Sequence, residues 1–200
     1  MLRSILSFIV VLVFTGITFG QISGTAHDFS GSGYGSTEIC IFCHTPHNAS
    51  TTVNGAPLWN HEVTTATFTL YTSPTFDATN SQPDGASKLC LSCHDGTVAI
   101  DSYGGNTGTN FMTGTALIGT DLSNDHPVTF TYDAALATTD GGLFDPTTTN
   151  SGLGGTIDQD LLFNHSLECA SCHDVHDDTF GSFLRISNGS SAFCLTCHDK

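Results

Sequence analysis

Positive charge is scarce in this sequence. Its 200 residues include 4 Lys and Arg against 19 Asp and Glu, a formal net charge of −15. Neutralising nucleic-acid phosphates requires a basic face, and four basic residues cannot build one. Attraction to an anionic membrane surface is disfavoured for the same reason. We therefore expect no nucleic-acid partner and no membrane insertion.

Long apolar runs are scarce as well. The one such run covers residues 5–14 and follows Arg3. It is too short to span a bilayer, which takes about 20 apolar residues. Thr18 and Gly20 are small enough for the −3 and −1 positions of a signal-peptidase site. We predict a signal peptide at residues 1–20, rather than a buried N-terminal helix, and an exported, secreted protein that begins near Gln21.

Cysteine and histidine are abundant, with 8 and 10 residues. Every cysteine belongs to a C-x-x-C pair, and a histidine follows each pair directly. The thiols are those of Cys40, Cys43, Cys90, Cys93, Cys169, Cys172, Cys194 and Cys197, and the histidines that follow are His44, His94, His173 and His198.

C-x-x-C-H is the attachment signature of c-type haem. The two thiols form thioethers to the haem, and the adjacent imidazole becomes the proximal iron ligand. A disulfide framework does not require the histidine. A zinc ribbon needs only thiolate pairs, and a thioredoxin-like motif would occur once, on a βαβ unit. Four regular motifs therefore predict four covalently attached haem c groups, each with its iron.

The remaining composition fits a chain that wraps cofactors. Thr, Gly and Ser supply 71 of the 200 residues. We predict a mostly irregular multihaem cytochrome c fold, with short helical turns and few short strands around a stacked haem core, and an unfolded apo chain. Residues 67–72 and 128–132 alternate as strands do. Residues 104–155 are expected to form long surface loops.

The motifs also indicate an internal repeat. CIFCHTPHN and CASCHDVHD share the pattern C-x-x-C-H-x-x-H, and a simpler motif follows each of them. We predict a single tetrahaem domain over residues 21–200. It would consist of two haem-pair half-units, about 21–100 and 160–200, with a loop-rich insertion between them.

The second axial ligand of each iron separates an electron carrier from an enzyme. Met112 is the one internal methionine, so histidine must serve almost everywhere. Six histidines remain for four positions, which predicts bis-histidine ligation. An iron with two protein ligands has no position for substrate, so we expect electron transfer and no catalysis.

The six remaining histidines differ in their setting. His47 and His176 each lie three residues after a proximal histidine, on the same side of its haem, so each must bind a different haem. We predict distal ligation by His27, His47, His126 and His176, with His61 and His165 as alternatives. Asp28 and Asp125 are adjacent carboxylates that could orient His27 and His126.

The segments HDFS, CHTPHN, APLWN, LCLSCHDGTVAID, NDHPVTFTYD, ECASCHDVHD and FCLTCHDK together resemble the extracellular tetrahaem cytochromes of metal-reducing bacteria that polymerise into filaments. The resemblance implies stacked bis-histidine haems. It also implies a head-to-tail homopolymer in which a distal histidine crosses the subunit interface. Mapped here, that residue is His47, reaching the fourth haem of the neighbouring chain. Only Asp199 and Lys200 follow His198, which agrees with a ligand from elsewhere.

Three functions are compatible with these residues. The first is a cell-surface filament, or nanowire, that carries electrons to redox partner cytochromes or extracellular acceptors. The second is a monomeric periplasmic electron shuttle. The third is a multihaem enzyme such as a nitrite or hydroxylamine reductase, which needs a five-coordinate haem. The ligand count leaves no free iron position, which argues against the third; the first two differ only in whether a ligand crosses between chains, and we expect the first.

Overall fold

The computed structural model describes residues 22–199, so the predicted signal peptide lies outside the described residues. Regular structure is sparse and coil predominates, which confirms the predicted fold class. The α-helices are α1 (Gly85–His94), α2 (Ala134–Asp140), α3 (Ile157–Leu161), α4 (Cys169–Cys172) and α5 (Cys194–Cys197); the strands are β1 (Phe130–Thr131) and β2 (Ser166–Leu167); 3₁₀ turns cover Gly114–Ala116 and Gly189–Ser191.

Helix α1 is the longest helix in the described residues and contains the second C-x-x-C-H motif. Leu89 and Leu91 are buried on it, and Ser87 and Ser92 are fully enclosed. Small side chains at those two positions let neighbouring backbone approach closely. The helix ends where the Asp95 amide donates to Leu91 and Gly96 adopts a positive φ of 74°.

Local capping positions the two helices that precede the third motif. The Asp133 carboxylate accepts from the Leu136 amide at 2.9 Å and caps α2. Thr156 and Gln159 form a reciprocal capping box at the start of α3. Both helices therefore begin at residues whose side chains satisfy free amides.

The largest apolar cluster surrounds a short antiparallel sheet. Phe130 pairs with Leu167, and Thr131 pairs with Ser166. The cluster comprises Phe130, Tyr132, Ala137, Ile157, Leu161, Leu162, Leu167 and Phe193. Cys172 and Cys197 pack against it, so it supports the third and fourth motifs together.

The predictions for residues 104–155 and for residues 67–72 are wrong. Residues 104–155 are not merely surface loops, because they contain β1, α2 and part of the largest core cluster. Residues 67–72 form no strand; Thr69 makes an isolated bridge to Asp121, since Gln82 binds the backbone of Phe68 instead. The strand predicted at 128–132 is present, although shorter, at Phe130–Thr131.

Two smaller clusters lie nearer the first two motifs. Val53, Trp59 and Leu89 form one, against which Cys43 packs. Phe68, Leu91 and Leu122 form the other. Because Leu89 belongs to α1, the first of these clusters holds the second motif against the chain around the first motif. In the part of the chain that the structure describes, no helix has the length and apolarity needed to cross a bilayer.

Candidate functional site

Each motif closes into a single helical turn. The histidine amide donates to the carbonyl of the first cysteine at 2.8 Å in the first motif, 3.1 Å in the third and 3.0 Å in the fourth. The second motif lies within α1. This turn brings both thiols and the imidazole to one side of the backbone, the arrangement that attachment to a single haem requires.

The residues between the cysteines anchor three of these turns. Phe42 is 1% exposed and packs edge-on against Phe29 and Tyr103. Leu91 and Ser171 are equally buried in the second and third motifs. In the fourth motif, by contrast, Leu195 is exposed. In each of the first three motifs, therefore, a buried residue between the two cysteines holds the turn in place.

Three of the motif histidines have Nδ1 bound to a backbone carbonyl. His44 Nδ1 lies 2.6 Å from the Pro57 oxygen, His94 Nδ1 2.8 Å from that of Ala116, and His173 Nδ1 2.8 Å from that of Ser182. A carbonyl only accepts, so Nδ1 carries the proton in each ring. This fixes the tautomer and leaves the Nε2 lone pair for a metal.

Three motif histidines each have a second histidine ring beside them. The ring centres are 6.1 Å apart for His44 and His176, 6.1 Å for His27 and His94, and 6.3 Å for His126 and His198. Every pair joins one histidine that ends a C-x-x-C-H motif to one that does not.

These spacings fit a metal held between two imidazoles. A metal–imidazole bond is about 2 Å and the nitrogen lies roughly 1 Å from its ring centre, so two rings on one metal have centres about 6 Å apart. Within residues 22–199, no three His, Cys, Asp or Glu side chains converge as a metal site. Each of the three histidine pairs offers two imidazoles, a set that would suit an iron whose other ligands came from haem.

His173 and His47 are the exceptions. His173 is exposed, and among the described residues no second histidine ring lies beside it, although Ser182 orients its Nδ1. His47 is exposed too, and the hydrogen bonds given for it join its backbone to the Thr45 hydroxyl. The structure therefore places His126 beside the fourth motif, and in the described chain the motif histidine without a second histidine ring beside it is that of the third.

The two alternative histidines have other surroundings. His61 is buried, with Nδ1 2.7 Å from the Glu62 carbonyl and Nε2 2.9 Å from that of Ala99. A neutral ring donates to one of these carbonyls, and His61 Nε2 also lies 3.5 Å from the sulfur of Cys93 in the second motif. His165 is exposed and its Nδ1 lies 2.7 Å from Asp158, away from every motif histidine ring in the described chain. Distal ligation by His27, His47, His126 and His176 stays a prediction.

Asp28 and Asp125, the carboxylates predicted to orient His27 and His126, do not hydrogen-bond to those histidine rings. Asp28 accepts from Gly24 and Ser30 rather than from His27. His126 Nδ1 lies 2.9 Å from the Pro127 carbonyl instead of contacting Asp125. Asp174, which sequence reasoning overlooked, lies 3.3 Å from His176 Nδ1. The sequence signal for this contact is the position of Asp174, two residues before His176.

The His27 imidazole is partly buried and uncharged at neutral pH. Burial, with a smaller contribution from His94, lowers the pKa of His27 to about 4. Its Nδ1 is buried without a hydrogen-bond partner among the described residues. Phe183 covers the ring at a centre distance of 4.6 Å. A neutral imidazole is the form that ligates a metal.

Burial keeps several motif thiols protonated. It raises the pKa of Cys43 and Cys172 to about 11, and that of Cys93 and Cys197 to about 12.

The motifs contact one another in chain order. Cys43 and Leu89 of α1 belong to the same apolar cluster, which links the first motif to the second. The Cys169 amide donates to Ser87 of α1 at 3.0 Å, which links the second to the third. Cys172 and Cys197 pack on the same core, which links the third to the fourth.

Comparison with known proteins agrees with this arrangement. Residues 164–200 match the profile of the family described as doubled CXXCH motif. No curated protein sequence matches the chain. The matched segment contains the third and fourth motifs, and the structure shows the same turn in the first. The chain thus has the covalent attachment motifs of a multihaem c-type cytochrome, a class of electron carriers.

Proposed function

We propose that this chain is the subunit of an extracellular filament that conducts electrons through four c-type haems per subunit. The observation that carries the proposal is the set of three pairs in which a motif histidine faces a non-motif histidine at 6.1–6.3 Å. Two protein ligands on an iron leave no position for substrate. Such sites transfer electrons and bind no reactant.

The protein's part in this function is to hold ligands and restrict motion. Cys40, Cys43, Cys90, Cys93, Cys169, Cys172, Cys194 and Cys197 would hold the haems, with His44, His94, His173 and His198 as proximal ligands. Haem supplies a one-electron carrier when bound. The contacts between consecutive motifs keep the carriers close, and backbone carbonyls hold the imidazoles in one orientation.

The case for a polymer comes from the internal repeat. His176 lies three residues after His173, yet it faces His44 of the first motif. His47 occupies the equivalent place, three residues after His44. By the same geometry His47 would face a third-motif histidine, and His173 is the one without a partner ring in the described chain. Both are exposed, so the ligand can come from another copy.

Such a contact is heterologous, because His47 of one subunit would bind at His173 of the next. Heterologous contacts give open chains where the rotation does not close a ring. A coordinate bond at each joint makes the contact stronger than its buried area alone would. Charged residues make up 12% of the sequence, so the excess acidic charge is spread over a largely neutral chain.

Electron microscopy of the sheared extracellular fraction tests this proposal. We expect filaments with a subunit-sized axial repeat whose subunits carry four haems by intact mass. His47→Ala should give free subunits that still contain four haems. His165→Ala, a matched change of another exposed histidine, should leave filaments intact. Monomers alone from the wild-type chain would overturn the filament and indicate the periplasmic shuttle.

A further inference from the structure

Glu168 is a buried carboxylate between the second and third motifs. It is 4% exposed. It directly precedes Cys169, and its side chain reaches Ser87 of helix α1, three residues before Cys90. It therefore lies beside the attachment cysteines of two consecutive motifs.

All side-chain partners of Glu168 are hydrogen-bond donors. Oε2 accepts from the Ser87 amide at 3.3 Å, from the Ser87 hydroxyl at 2.5 Å and from the Thr129 hydroxyl at 3.2 Å. Oε1 accepts from the Ser166 hydroxyl at 2.7 Å. An ionised carboxylate only accepts, so four donors match the charged form.

No basic side chain balances this charge in the described chain. The ion pairs there join His165 to Asp158 and His176 to Asp174. Arg185, one of the few basic residues, donates instead to the Ala170 carbonyl. A buried charge without a counter-charge is costly, and hydrogen bonds only partly offset that cost. The site is therefore incomplete without a positive group.

The charge of Glu168 reaches both attachment positions. The pKa of the Cys90 thiol is raised by its hydrogen bond to Cys169, by burial and by neighbouring charges that include Glu168. The pKa of the Cys169 thiol is lowered, chiefly by its hydrogen bond with Cys90, and the neighbouring Glu168 charge opposes that shift. A cofactor attached through those sulfurs would lie in the same field.

We propose that Glu168 is the internal counter-charge of the haems at the second and third motifs and lowers their reduction potentials. The inference rests on the proposed haem attachment at those motifs. A ferric haem iron with two neutral imidazoles has a net positive centre, and reduction adds one electron to it without a proton. A fixed negative charge stabilises the oxidised form, and the low internal dielectric strengthens the effect.

Potentiometric titration of the purified, haem-loaded protein tests the proposal, with a dithionite solution as the electron donor. Glu168→Gln keeps the side-chain shape and removes the charge. We expect the reduction potentials of two of the four haems to rise by about 59 mV each. For a one-electron couple, this is about a tenfold increase in the ratio of reduced to oxidised haem at a fixed potential. The other two components should shift less.

Three further variants separate charge from structure. Glu168→Asp keeps the charge and should leave the potentials near wild type. Asp84→Asn removes an exposed carboxylate at the start of α1, which solvent screens, and should change little. Ser166→Lys places a cation beside Oε1 and should also raise the same two components. That variant provides the test if Glu168→Gln does not assemble.

The outcomes are distinguishable. A haem-loaded Glu168→Gln protein with unchanged potentials overturns the counter-charge role. So does an equal shift in Glu168→Asp, which would mean that Glu168 acts through structure alone. Wild-type protein without haem at Cys90, Cys93, Cys169 and Cys172 in peptide mass spectra would instead refute the proposed function.

Discussion

His44 and His176 face each other across 6.1 Å with their ring planes only 17° apart. His44 ends the first motif, and His176 lies three residues after the end of the third. A histidine that follows one attachment site in the sequence therefore lies beside a different attachment site in the fold. The other two pairs are strongly crossed, at 90° for His27 with His94 and 73° for His126 with His198. The three sites therefore differ in ring orientation although their ligands are chemically alike.

This difference predicts two kinds of low-spin ferric signal in the electron paramagnetic resonance spectrum. Parallel imidazole planes separate the iron d orbitals that lie along them, which gives a rhombic signal. Crossed planes leave those orbitals nearly degenerate, which gives a signal with one large g value. The oxidised wild-type protein should show both kinds. A spectrum without any rhombic signal would contradict the near-parallel arrangement of His44 and His176.

His176→Ala should convert the haem of the first motif, rather than that of the third, to high spin. The reason is that His176 lies beside His44 and not beside His173. The rhombic signal of that haem should be lost and a high-spin signal should appear in its place. His165→Ala serves as the control, because its ring contacts Asp158. Loss of a large-g signal with the rhombic one intact would assign His176 to another iron.

The sequence predicts attachment chemistry well because that chemistry is local. Cys40, Cys43 and His44 must lie within one helical turn to serve one haem, so spacing alone identifies them. The carbonyls that orient the proximal rings are not local. Pro57, Ala116 and Ser182 lie 13, 22 and 9 residues after their histidines, at no common spacing. Backbone carbonyls also carry no side-chain identity that a sequence could reveal.

The core of the insertion was missed for a related reason. Residues 104–155 contain short apolar pieces between Gly, Thr and Asp, which is typical of loops. Phe130 and Tyr132 become buried only through pairing with β2 and packing on α3, contacts that are distant in sequence. The fourth motif provides a similar case: His126 lies 72 residues before His198, and only the folded chain brings the two rings together.

His61→Phe should lower stability without changing any haem. The substitution removes the hydrogen bond that the neutral ring donates to the Glu62 or the Ala99 carbonyl in the interior, at a cost of about 1–3 kcal/mol. The midpoint of denaturant unfolding should fall while all haems stay low-spin. His27→Phe is the matched comparison and should produce one high-spin haem. High-spin iron in the His61 variant would show that His61 is a ligand after all.

Tyr132→Phe should weaken the support of the fourth motif. The Tyr132 hydroxyl donates to the Phe144 carbonyl at 2.6 Å and lies 3.4 Å from that of Cys197. Its loss leaves an interior carbonyl without a donor, which costs about 1–3 kcal/mol. Thermal unfolding should begin at a lower temperature than in wild type. Tyr71→Phe, at a half-buried ring that packs edge-on against Phe76, should have little effect.

Mixed assembly tests the direction of the proposed contact. A His47→Ala subunit lacks the donor imidazole but keeps His173, so it can accept a neighbour at one end only. It should therefore terminate growing filaments. With one variant subunit in ten, mean filament length should fall to about ten subunits, and it should vary inversely with the variant fraction.

The control for mixed assembly is His165→Ala, which should leave filament length unchanged at every ratio. Lengths would be counted by electron microscopy after mixing subunits before assembly. A His47→Ala subunit that merely weakened the fold would be excluded from filaments and would not shorten them. Chain termination thus separates a missing ligand from a missing structure, because only a subunit competent at its His173 end can join a filament and stop it.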